Sequence, residues 1–479
     1  MREVLEQELR ERILREITPS DEELKRQKSV IGELTSALRD AAKTLGQSYS
    51  FIEPQGSTGA KQTQLKGAAD IDLFVALDTQ DFASILELPV AERNRRLSSE
   101  LERLVDIWFR PAARLTGAQK IKKTYSQHPY LSLVLDGLEV DIVTCFDLSA
   151  DYLMTRGPIT AVDRTIHHTR YVCKKLDNRL RGDVRLLKSF IRAGYAYGDR
   201  CAVGRMGITG YCLELLVIWG DGLEGAFESL RNLPEQPLDP EERPINHLKS
   251  KPEFRDDYVI VIDPIDTNRN VASSFSARSV DWTILRADDL PSSSDPEKIL
   301  HMFIEEPITT APLPRDLEGH FVGIEFKSKG TEHYTILRDK LYSLASKIAD
   351  RVSEERTGEK RFGQCIFELY FERPRYALGF LVERPSIDPQ YKRRGPPTNM
   401  KNAVAMFKAE HPDAYEEKGF LWAKETREWT SAGEMVMHLV RENEVDALQI
   451  LEDTGALTRK VGNILRTAVL RVEEMHFEQ

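Results

Sequence analysis

The sequence predicts an α+β fold made of several domains. A chain of 479 residues is too long for one hydrophobic core. Strand-like apolar runs that carry acidic residues alternate with helical patterns up to about residue 150, and mainly helical patterns continue to residue 220. A composition with 41% hydrophobic and 30% charged residues is typical of a globular protein.

The first 45 residues predict two helices. An apolar stripe at helical spacing runs from Leu5 to Ile17 and ends at Thr18-Pro19-Ser20. Ser20 and Glu23 have the spacing of a capping box, in which each residue binds the backbone N–H of the other. We therefore expect a second helix to begin after Ser20.

Two acidic residues mark the start of a predicted strand, Asp70-Ile71-Asp72, which continues as an apolar run to Leu77. Because side chains i and i+2 of a strand project from the same face, both carboxylates would leave one face. Two carboxylates held together in a partly buried place repel each other and need a cation. Hard oxygen ligands suit Mg²⁺ that carries the phosphates of a nucleotide.

Gly56-Ser57 lies upstream, between a strand-like run from Ser48 to Glu53 and a predicted helix. Free backbone N–H groups and the helix dipole would attract phosphate at that point. Gly-Ser alone is a weak signal, and an isolated Asp-x-Asp is usually a solvated strand end. Together they predict a nucleotidyltransferase-type head.

A third acid strengthens this hypothesis. The apolar run from Tyr130 to Leu135 and the segment from Glu139 to Val143 flank Asp136-Gly137, a pattern typical of a hairpin. Such a hairpin would bring Asp141 onto the strand beside Asp70 and Asp72. Three acids on neighbouring strands behind a Gly-Ser loop resemble the polymerase-β type of nucleotidyltransferase.

The overall charge of −10, with pI near 5.7, excludes a globally basic nucleic-acid binder. Between Arg164 and Arg192, however, nine Lys or Arg residues accompany two acids. Four of them recur on one helical face: Arg181, Arg185, Lys188 and Arg192. This face is either an ordinary solvated surface or a basic wall that holds triphosphate and RNA backbone. Beside the acidic site we favour the second interpretation.

The remaining composition indicates a cytoplasmic protein with no membrane span. The five cysteines form no CxxC pair and no zinc spacing, which is typical of buried thiols in a reducing compartment. No apolar run approaches the roughly 18 residues of a membrane helix. The first six residues are charged and helical rather than signal-like.

Beyond residue 250 the pattern is mixed. Strands are predicted from Tyr258 to Pro264, from Phe321 to Phe326 and from Cys365 to Phe371, a helix from about Thr335 to Ser353, and a basic loop from Tyr391 to Pro397. The last forty residues have a helical pattern.

Several motifs, in this order, are narrower than the superfamily pattern. After the three acids they are Ala161-Val162-Asp163-Arg164-Thr165 with His167-His168, Arg185-Leu186-Leu187-Lys188, Gly207-Ile208-Thr209-Gly210-Tyr211 with Glu214, Asp263-Pro264 with Asn268-Arg269-Asn270-Val271-Ala272, and Arg394-Gly395-Pro396. With Leu65-Lys66-Gly67 before the first acids, the chain resembles the class I, archaeal-type CCA-adding enzymes over nearly its whole length. These are tRNA nucleotidyltransferases of the polymerase-β-like superfamily.

The resemblance implies a polymerase-β-like head at residues 1–150 and a helical neck at 151–285. It also implies an α/β body at 286–330 and 400–479, and a tRNA-binding tail at 331–399. The implied activity is template-independent addition of C, C and A to the tRNA 3′ end from CTP and ATP. A homodimer is suggested as well.

The resemblance also implies roles for individual residues. Asp70, Asp72 and Asp141 would be the catalytic carboxylates that hold two Mg²⁺ ions. The nucleotide-binding residues would be Gly56, Ser57, Lys61, His168, Lys188, Tyr197 and Arg269, and the RNA-binding residues Arg393 and Arg394, beside Lys392. Arg269 would recognise the base, because an Arg can donate to acceptors that cytosine and adenine share. The expected phosphate-binding loop, Ser57-Thr58-Gly59-Ala60-Lys61, is one residue longer than the family pattern. This leaves the position of Lys61 open. The turn before His168 also departs from the family pattern. This leaves open whether His167 or His168 faces the nucleotide.

Three rival functions remain. A poly(A) polymerase or a signalling-oligonucleotide synthase shares the three acids but has no need of a tRNA-binding tail. An RNA-binding pseudoenzyme has no reason to keep three repelling carboxylates. A metal-dependent phosphohydrolase normally has His-Asp clusters, and His167-His168 has no acid neighbour at ligand spacing.

Overall fold

The protein is described here by a computed structural model that covers residues 5–125, 128–290, 295–452 and 455–477. Residues 1–4 of the charged N-terminus lie outside the described residues. The chain forms two compact units, Met1–Gly198 with Ile208–Glu306, and Asp199–Gly207 with Pro307–Gln479. The predicted division into head, neck, body and tail is finer than this one and stays a prediction.

The first unit combines an N-terminal sheet with a helical region. Its helices are α1 (Gln7–Ile17), α2 (Asp21–Leu45), α3 (Ala83–Leu86), α4 (Val90–Leu104), α5 (Arg110–Leu115), α6 (Ala150–Arg156), α7 (Arg164–Lys175), α8 (Asn178–Ala193), α9 (Gly210–Trp219), α10 (Leu223–Asn232), α11 (Ile245–Lys249), α12 (Ala277–Asp289) and α13 (Pro296–Phe303). Its strands are β1 (Phe51–Gln55), β2 (Asp70–Leu77), β3 (Gln119–Tyr125), β4 (Pro129–Leu135), β5 (Leu138–Phe146), β6 (Ile262–Asp263) and β7 (Asp266–Asn270).

The five N-terminal strands form one mixed sheet in the order β1-β2-β5-β4-β3. Strands β2 and β5 run parallel, and the other neighbouring pairs are antiparallel. The predicted hairpin is confirmed, since β4 and β5 pair through a turn in which Asp136 and Gly137 have φ of 48° and 71°. Helices α2 and α4 and the π-helical segment Val105–Phe109 cover the core of this sheet.

The predicted capping box is confirmed at the start of α2. The Ser20 hydroxyl accepts from the Glu23 N–H at 3.2 Å, and the Glu23 carboxylate accepts from the Ser20 N–H at 2.8 Å. Helix α2 ends at Gly46, which has φ of 64° and can therefore adopt the left-handed conformation of a C-cap.

The helix expected after Gly56-Ser57 is wrong, because residues 56–61 form a turn. A Cβ on Gly59 would lie 2.6 Å from the Pro54 carbonyl oxygen, so the chain folds back tightly over the end of β1. The Thr63 N–H donates to the Ser57 carbonyl at 3.0 Å and closes the turn. No helix dipole therefore acts at Ser57.

The strand expected from Tyr258 to Pro264 is shorter in the structure and is limited to β6. Just before β6, the Val261 N–H donates to the Asn270 side-chain oxygen at 2.8 Å. The partner of this N–H is therefore a side chain and not the backbone carbonyl of a neighbouring strand. Strands β6 and β7 form a small hairpin near the C-terminal end of the first unit.

The second unit contains two antiparallel sheets. Its helices are α14 (Arg315–Glu318), α15 (Tyr334–Ser353), α16 (Lys401–Glu410), α17 (Ala432–Glu442), α18 (Ala456–Ile464) and α19 (Leu470–Val472). Its strands are β8 (Phe321–Ser328), β9 (Cys365–Glu372), β10 (Arg375–Val382), β11 (Gln390–Pro397), β12 (Tyr415–Glu417), β13 (Phe420–Thr426) and β14 (Leu448–Ile450). The sheet orders are β14-β8-β10-β9 and β11-β13-β12.

Several expectations for this unit are confirmed, namely α15, β8 and β9 at the predicted places. The prediction of a basic loop from Tyr391 to Pro397 is wrong, because this segment is strand β11. It lies at the edge of its sheet, where prolines are tolerated because an edge strand leaves N–H groups unpaired. The helical C-terminus is interrupted by β14.

None of the helices in the described part of the chain is both long and apolar enough to cross a membrane.

Candidate active site

The predicted carboxylates lie on the central parallel pair of the first sheet. Asp72 on β2 is the register partner of Asp141 on β5, and Asp70 is the register partner of Glu139. Because alternate residues share a face, all four acids project from the same side of the sheet. Asp72 and Asp141 are half-buried, whereas Asp70 and Glu139 are exposed at the strand ends.

Burial and mutual repulsion together set the electrostatics of this group. Burial, together with the charges of Asp141 and Asp70, raises the pKa of Asp72 to about 7. The Lys61 ammonium opposes this shift only in part. Across the described ranges, no group of three or more His, Cys, Asp or Glu side chains has an arrangement that could hold a metal ion. The strand pair thus brings two half-buried carboxylates, Asp72 and Asp141, next to two exposed ones.

Gly56 brings the backbone of the turn at residues 56–61 against these acids. Its φ of 70° lies in the left-handed region, and a Cβ there would stand 3.0 Å from the Asp72 Oδ2 atom. Only glycine combines that conformation with that close approach. Ser57 follows in the turn and is half-exposed.

Glu214 on α9 links the loop to the helical region through a buried charge network. Its carboxylate accepts from the Lys61 Nζ at 2.8 Å, the Thr63 hydroxyl at 2.7 Å and the Lys188 Nζ at 3.4 Å. All four side chains are buried. Although burial alone would raise it, the two lysines lower the pKa of Glu214 to about 2. Lys61 and Lys188 are therefore hydrogen-bonded inward, and their contact with a triphosphate stays a prediction.

Three of the four residues on the basic face of α8 bind the same loop, whereas Arg192 is partly exposed and donates to the Glu305 carboxylate. Arg181 donates to the Lys61 carbonyl at 3.1 Å. Arg185 donates to the carbonyls of Gln62 and Gln64 at 2.5 and 3.1 Å. Lys188 donates to the Thr63 carbonyl at 3.1 Å. Consecutive loop carbonyls are thus held by residues one helical turn apart, which gives this face a structural role that the sequence pattern did not indicate.

Asp263 forms a second buried centre at the end of β6. Its Oδ2 atom accepts from the His168 Nε2 at 2.7 Å and the Arg269 Nη1 at 2.8 Å. Its Oδ1 atom accepts from the Ile265 N–H at 3.0 Å and the Tyr211 hydroxyl at 3.2 Å. Burial has the largest single effect and opposes ionisation, but the interactions with His168, the Ile265 N–H and Arg269 together outweigh it and lower the pKa of Asp263 to about 2.

His168, and not His167, belongs to this centre. Its ring stacks on Tyr211 with 4.1 Å between ring centroids, while the His167 Nε2 lies 2.8 Å from the Leu148 carbonyl oxygen. Burial lowers the pKa of His168 despite the nearby carboxylate. A neutral His168 must carry its proton on Nε2, since the Asp263 carboxylate only accepts.

Tyr211 connects the two buried centres. The Lys61 Nζ lies 5.1 Å from its ring centroid, while its hydroxyl donates to Asp263. Tyr197 and Lys188 both lie beside Gly210, since a Cβ on Gly210 would stand 2.9 Å from the Tyr197 hydroxyl and 3.2 Å from the Lys188 Cε. Burial raises the pKa of Tyr197 to about 12, and the charge of Glu214 adds to the shift.

A cleft of about 580 Å³ opens beside Arg269. It is lined by Leu153, Met154, Arg164, Glu253, Asp266 and Arg269, with Asn268, Asn270 and Ser273 on the hairpin side. Arg164 is paired with Asp266 at 2.6 Å. The volume lies within the roughly 300–1,000 Å³ of small-molecule sites.

The predicted RNA-binding residues lie in the second unit, on β11. Arg393 is half-buried and donates to the Glu425 carboxylate at 2.7 Å. Lys392 and Arg394 alternate to the opposite face and are exposed, with the Arg394 guanidinium 3.9 Å from the Phe420 ring centroid. Arg394 is therefore more accessible to a phosphate group than Arg393 is.

Sequence reasoning quoted Glu214, Tyr211 and Asp263 within motifs but assigned them no role. One signal was available for Glu214, because a carboxylate inside an otherwise apolar helix is seldom buried unless it is paired. Glu139 also received no role, although it lies two residues before Asp141 on the same strand face.

Comparison with known proteins adds independent information. Residues 182–299 match the family model "tRNA nucleotidyltransferase, second domain". The chain is 32% identical over 335 residues to a CCA-adding enzyme of Pyrococcus abyssi, which covers 68% of this chain and 65% of the relative, slightly less than two thirds. CCA-adding enzymes of Pyrobaculum islandicum and Sulfurisphaera tokodaii are 29% and 28% identical.

Those two alignments are longer. They span 81% of this chain and 82% of the Pyrobaculum protein, and 88% of this chain and 89% of the Sulfurisphaera protein. Among solved structures, one described as a cytoplasmic RNA terminal U-transferase superposes on 63% of this chain and 100% of its own, with 18% identity and a TM-score of 0.45.

Proposed function

We propose that the chain is an archaeal-type CCA-adding enzyme that adds C, C and A to the 3′ end of tRNA from CTP and ATP, releasing pyrophosphate. Its similarity to three CCA-adding enzymes and the family-model match at residues 182–299 support this proposal. The observation that carries the proposal is the direct pairing of Asp72 with Asp141 beside the Gly56 turn. Two adjacent carboxylates, one of which has its pKa raised by burial and by its acidic neighbours, are suited to a nucleotide that arrives with its metal.

The donor set fits Mg²⁺. Asp70, Asp72 and Asp141 supply hard oxygen ligands, and a bound cation would relieve the repulsion that, together with burial, raises the pKa of Asp72. Two bound Mg²⁺ ions would lower the pKa of the RNA 3′-hydroxyl and neutralise the triphosphate and the leaving pyrophosphate. In this proposal Asp141 is closest to the attacking hydroxyl and accepts its proton.

The loop residues orient the triphosphate. Gly56 lets the backbone approach Asp72, and Ser57 in the same turn donates its hydroxyl to a phosphate oxygen. Lys61 and Lys188 add positive charge behind the loop while Glu214 holds them. Tyr197 packs beside Lys188 and contacts the triphosphate or the sugar.

The base of the nucleotide is recognised by Arg269 rather than by the loop residues that orient the triphosphate. Arg269 is partly exposed at the cleft, and His168 packs behind it on Asp263. A guanidinium donates to the ring-nitrogen acceptor that cytosine and adenine share, whereas uracil and guanine carry an N–H there. The growing RNA end then adjusts the pocket so that CTP precedes ATP.

The second unit would hold the rest of the tRNA. Arg393 and Arg394 on β11 are proposed to contact its backbone, a mode that needs no base contacts because A-form RNA is recognised by shape. A homodimer and a cytoplasmic location accompany the proposal. The mass in solution, measured by light scattering, tests the first of these.

The test uses radiolabelled tRNAs that end in the discriminator base, in C, and in CC, each incubated with Mg²⁺ and single nucleotides. Two additions from CTP, followed by one A only after CC, would support the proposal. Runs of A on any RNA would indicate a poly(A) polymerase instead. Consumption of nucleotide without tRNA would indicate a signalling-oligonucleotide synthase, and tRNA binding without turnover an RNA-binding pseudoenzyme.

A further inference from the structure

We propose that Asp263 is a positioning residue that fixes the guanidinium of Arg269 for discrimination among incoming bases. The inference rests on the proposed function and extends it to a residue that does not itself contact the nucleotide. It concerns fidelity, meaning the preference for CTP and ATP over UTP and GTP.

Asp263 is the fixed half of its ion pair with Arg269. Its side chain is fully buried and accepts four hydrogen bonds, from α7, from α9 and twice from its own hairpin. Arg269 is the accessible half, with 38% of its side chain exposed at the cleft. The anion is therefore held from several elements while the cation faces the cleft.

The planar shape of the guanidinium explains how this arrangement could distinguish one base from another. A guanidinium is planar and carries five N–H groups in fixed directions. Because its Nη1 atom donates to Asp263 at 2.8 Å, one end of the guanidinium is anchored, which limits the directions that its remaining N–H groups can take. A guanidinium held in one place matches a ring-nitrogen acceptor. One that is free to turn also reaches the carbonyl oxygens of uracil and guanine.

Neighbouring contacts limit the movement of Asp263 itself. Tyr211 donates to the other carboxylate oxygen and stacks on His168, which donates to the shared one. Removing the negative charge would leave Arg269 without its anchor and would leave the amide nitrogen facing N–H donors. Both changes release the guanidinium.

The primary test replaces Asp263 by Asn in the full-length protein, and single-nucleotide extension of tRNA is measured with all four nucleotides. We expect the KM for CTP and ATP to rise about tenfold, with kcat much less affected. Incorporation of U relative to C should rise by a similar factor, because the Arg269 guanidinium is no longer fixed in the orientation that rejects the wrong base.

The matched control is Asp239→Asn. Asp239 is another buried carboxylate paired with an arginine, and its partner Arg243 donates to the Thr267 carbonyl of the same hairpin. This variant loosens the hairpin without touching Arg269. If it relaxes fidelity as much as Asp263→Asn does, the effect is general loosening and the inference is wrong.

A double-mutant cycle with Arg269→Ala isolates the route of action. If Asp263 acts through Arg269, Asp263→Asn adds no further loss of discrimination in the Arg269→Ala background. Should Asp263→Asn fail to fold, Asp263→Glu decides instead, since it keeps the charge but displaces the guanidinium by one methylene. Unchanged fidelity in whichever variant folds would overturn the inference. Wild-type protein that does not extend tRNA would overturn the proposed function instead.

Discussion

Asp72 and Asp141 are direct register partners across the parallel strands β2 and β5. Two like charges opposite each other destabilise a sheet, and here burial adds to the cost by raising the pKa of Asp72 to about 7. A pair of this kind lowers the stability of the folded chain, so its role is in activity rather than in folding. Activity and stability should therefore change in opposite directions when one carboxylate is neutralised.

The first prediction concerns Asp72→Asn. Extension of tRNA should fall by at least about a thousandfold, because a metal ligand is lost. In metal-free buffer the free energy of unfolding should rise by about 1–2 kcal/mol, because the repulsion is gone. Urea titration and primer-extension rates measure the two effects. The control is Asp136→Asn in the exposed β4–β5 turn, which should keep full activity. Near-wild-type turnover of Asp72→Asn would show that it is not a ligand.

The second prediction concerns the close approach of the loop to Asp72. Gly56→Ala forces a side chain into the left-handed region, at about 1–2 kcal/mol, and puts a methyl group 3.0 Å from the Asp72 carboxylate. We expect kcat to drop by at least about tenfold, because small displacements of reacting groups are costly. Single-turnover kinetics measure the change.

Gly67→Ala is the matched control for Gly56→Ala. Gly67 has nearly the same φ, 68°, but no atom lies within 4 Å of where its Cβ would be. It therefore has the same backbone cost without the contact. Equal losses of activity in the two variants would contradict a specific role of Gly56 at Asp72.

Local sequence patterns predicted much of the first sheet. Alternating apolar residues and Asp136-Gly137 are short-range signals, so the hairpin and the position of Asp141 followed from them. The turn after Gly56 was missed because a contact decides it, namely the fold of Gly59 back onto the Pro54 carbonyl. No short-range pattern records such an approach.

Contacts between distant segments account for the other differences. The pattern correctly put Arg181, Arg185 and Lys188 on one face, but their partners are carbonyls about 120 residues earlier in the chain. Strand β11 was missed because Gly395, Pro396 and Pro397 favour a loop locally, whereas pairing with β13 decides its structure.

The third prediction concerns the buried network around Glu214. Glu214→Gln leaves Lys61 and Lys188 without their shared carboxylate, and breaking a buried ion pair costs about 3–5 kcal/mol. Chemical unfolding should show a loss of this size. Glu228→Gln, on the exposed side of α10, should change stability by less than about 0.5 kcal/mol. A similarly small change for Glu214→Gln would mean that the lysines find other partners.

The fourth prediction is a pH dependence of the same network. The pKa of Glu214 is about 2 in the folded chain, lowered from 4.5. A lowered folded-state pKa contributes stability that is present above pH 4.5 and is lost as the pH falls towards 2. The stability difference between wild type and Glu214→Gln should therefore be largest above pH 5 and shrink below 4.5. A difference that grows on acidification would contradict the ionised network.

The last prediction separates the two interpretations of the α8 basic face. A residue that contacts a phosphate contributes about one unit to the slope of log affinity against log salt. Arg185 donates to two loop carbonyls, so Arg185→Met should leave that slope for tRNA unchanged while lowering kcat and thermal stability. Arg394→Met, at an exposed position on β11, should instead lower the slope by about one and leave kcat at saturating tRNA intact. Filter binding from 50 to 300 mM salt, about the usual range for such titrations, measures both slopes. A reduced slope for Arg185→Met would restore the interpretation of this face as a wall for RNA phosphates.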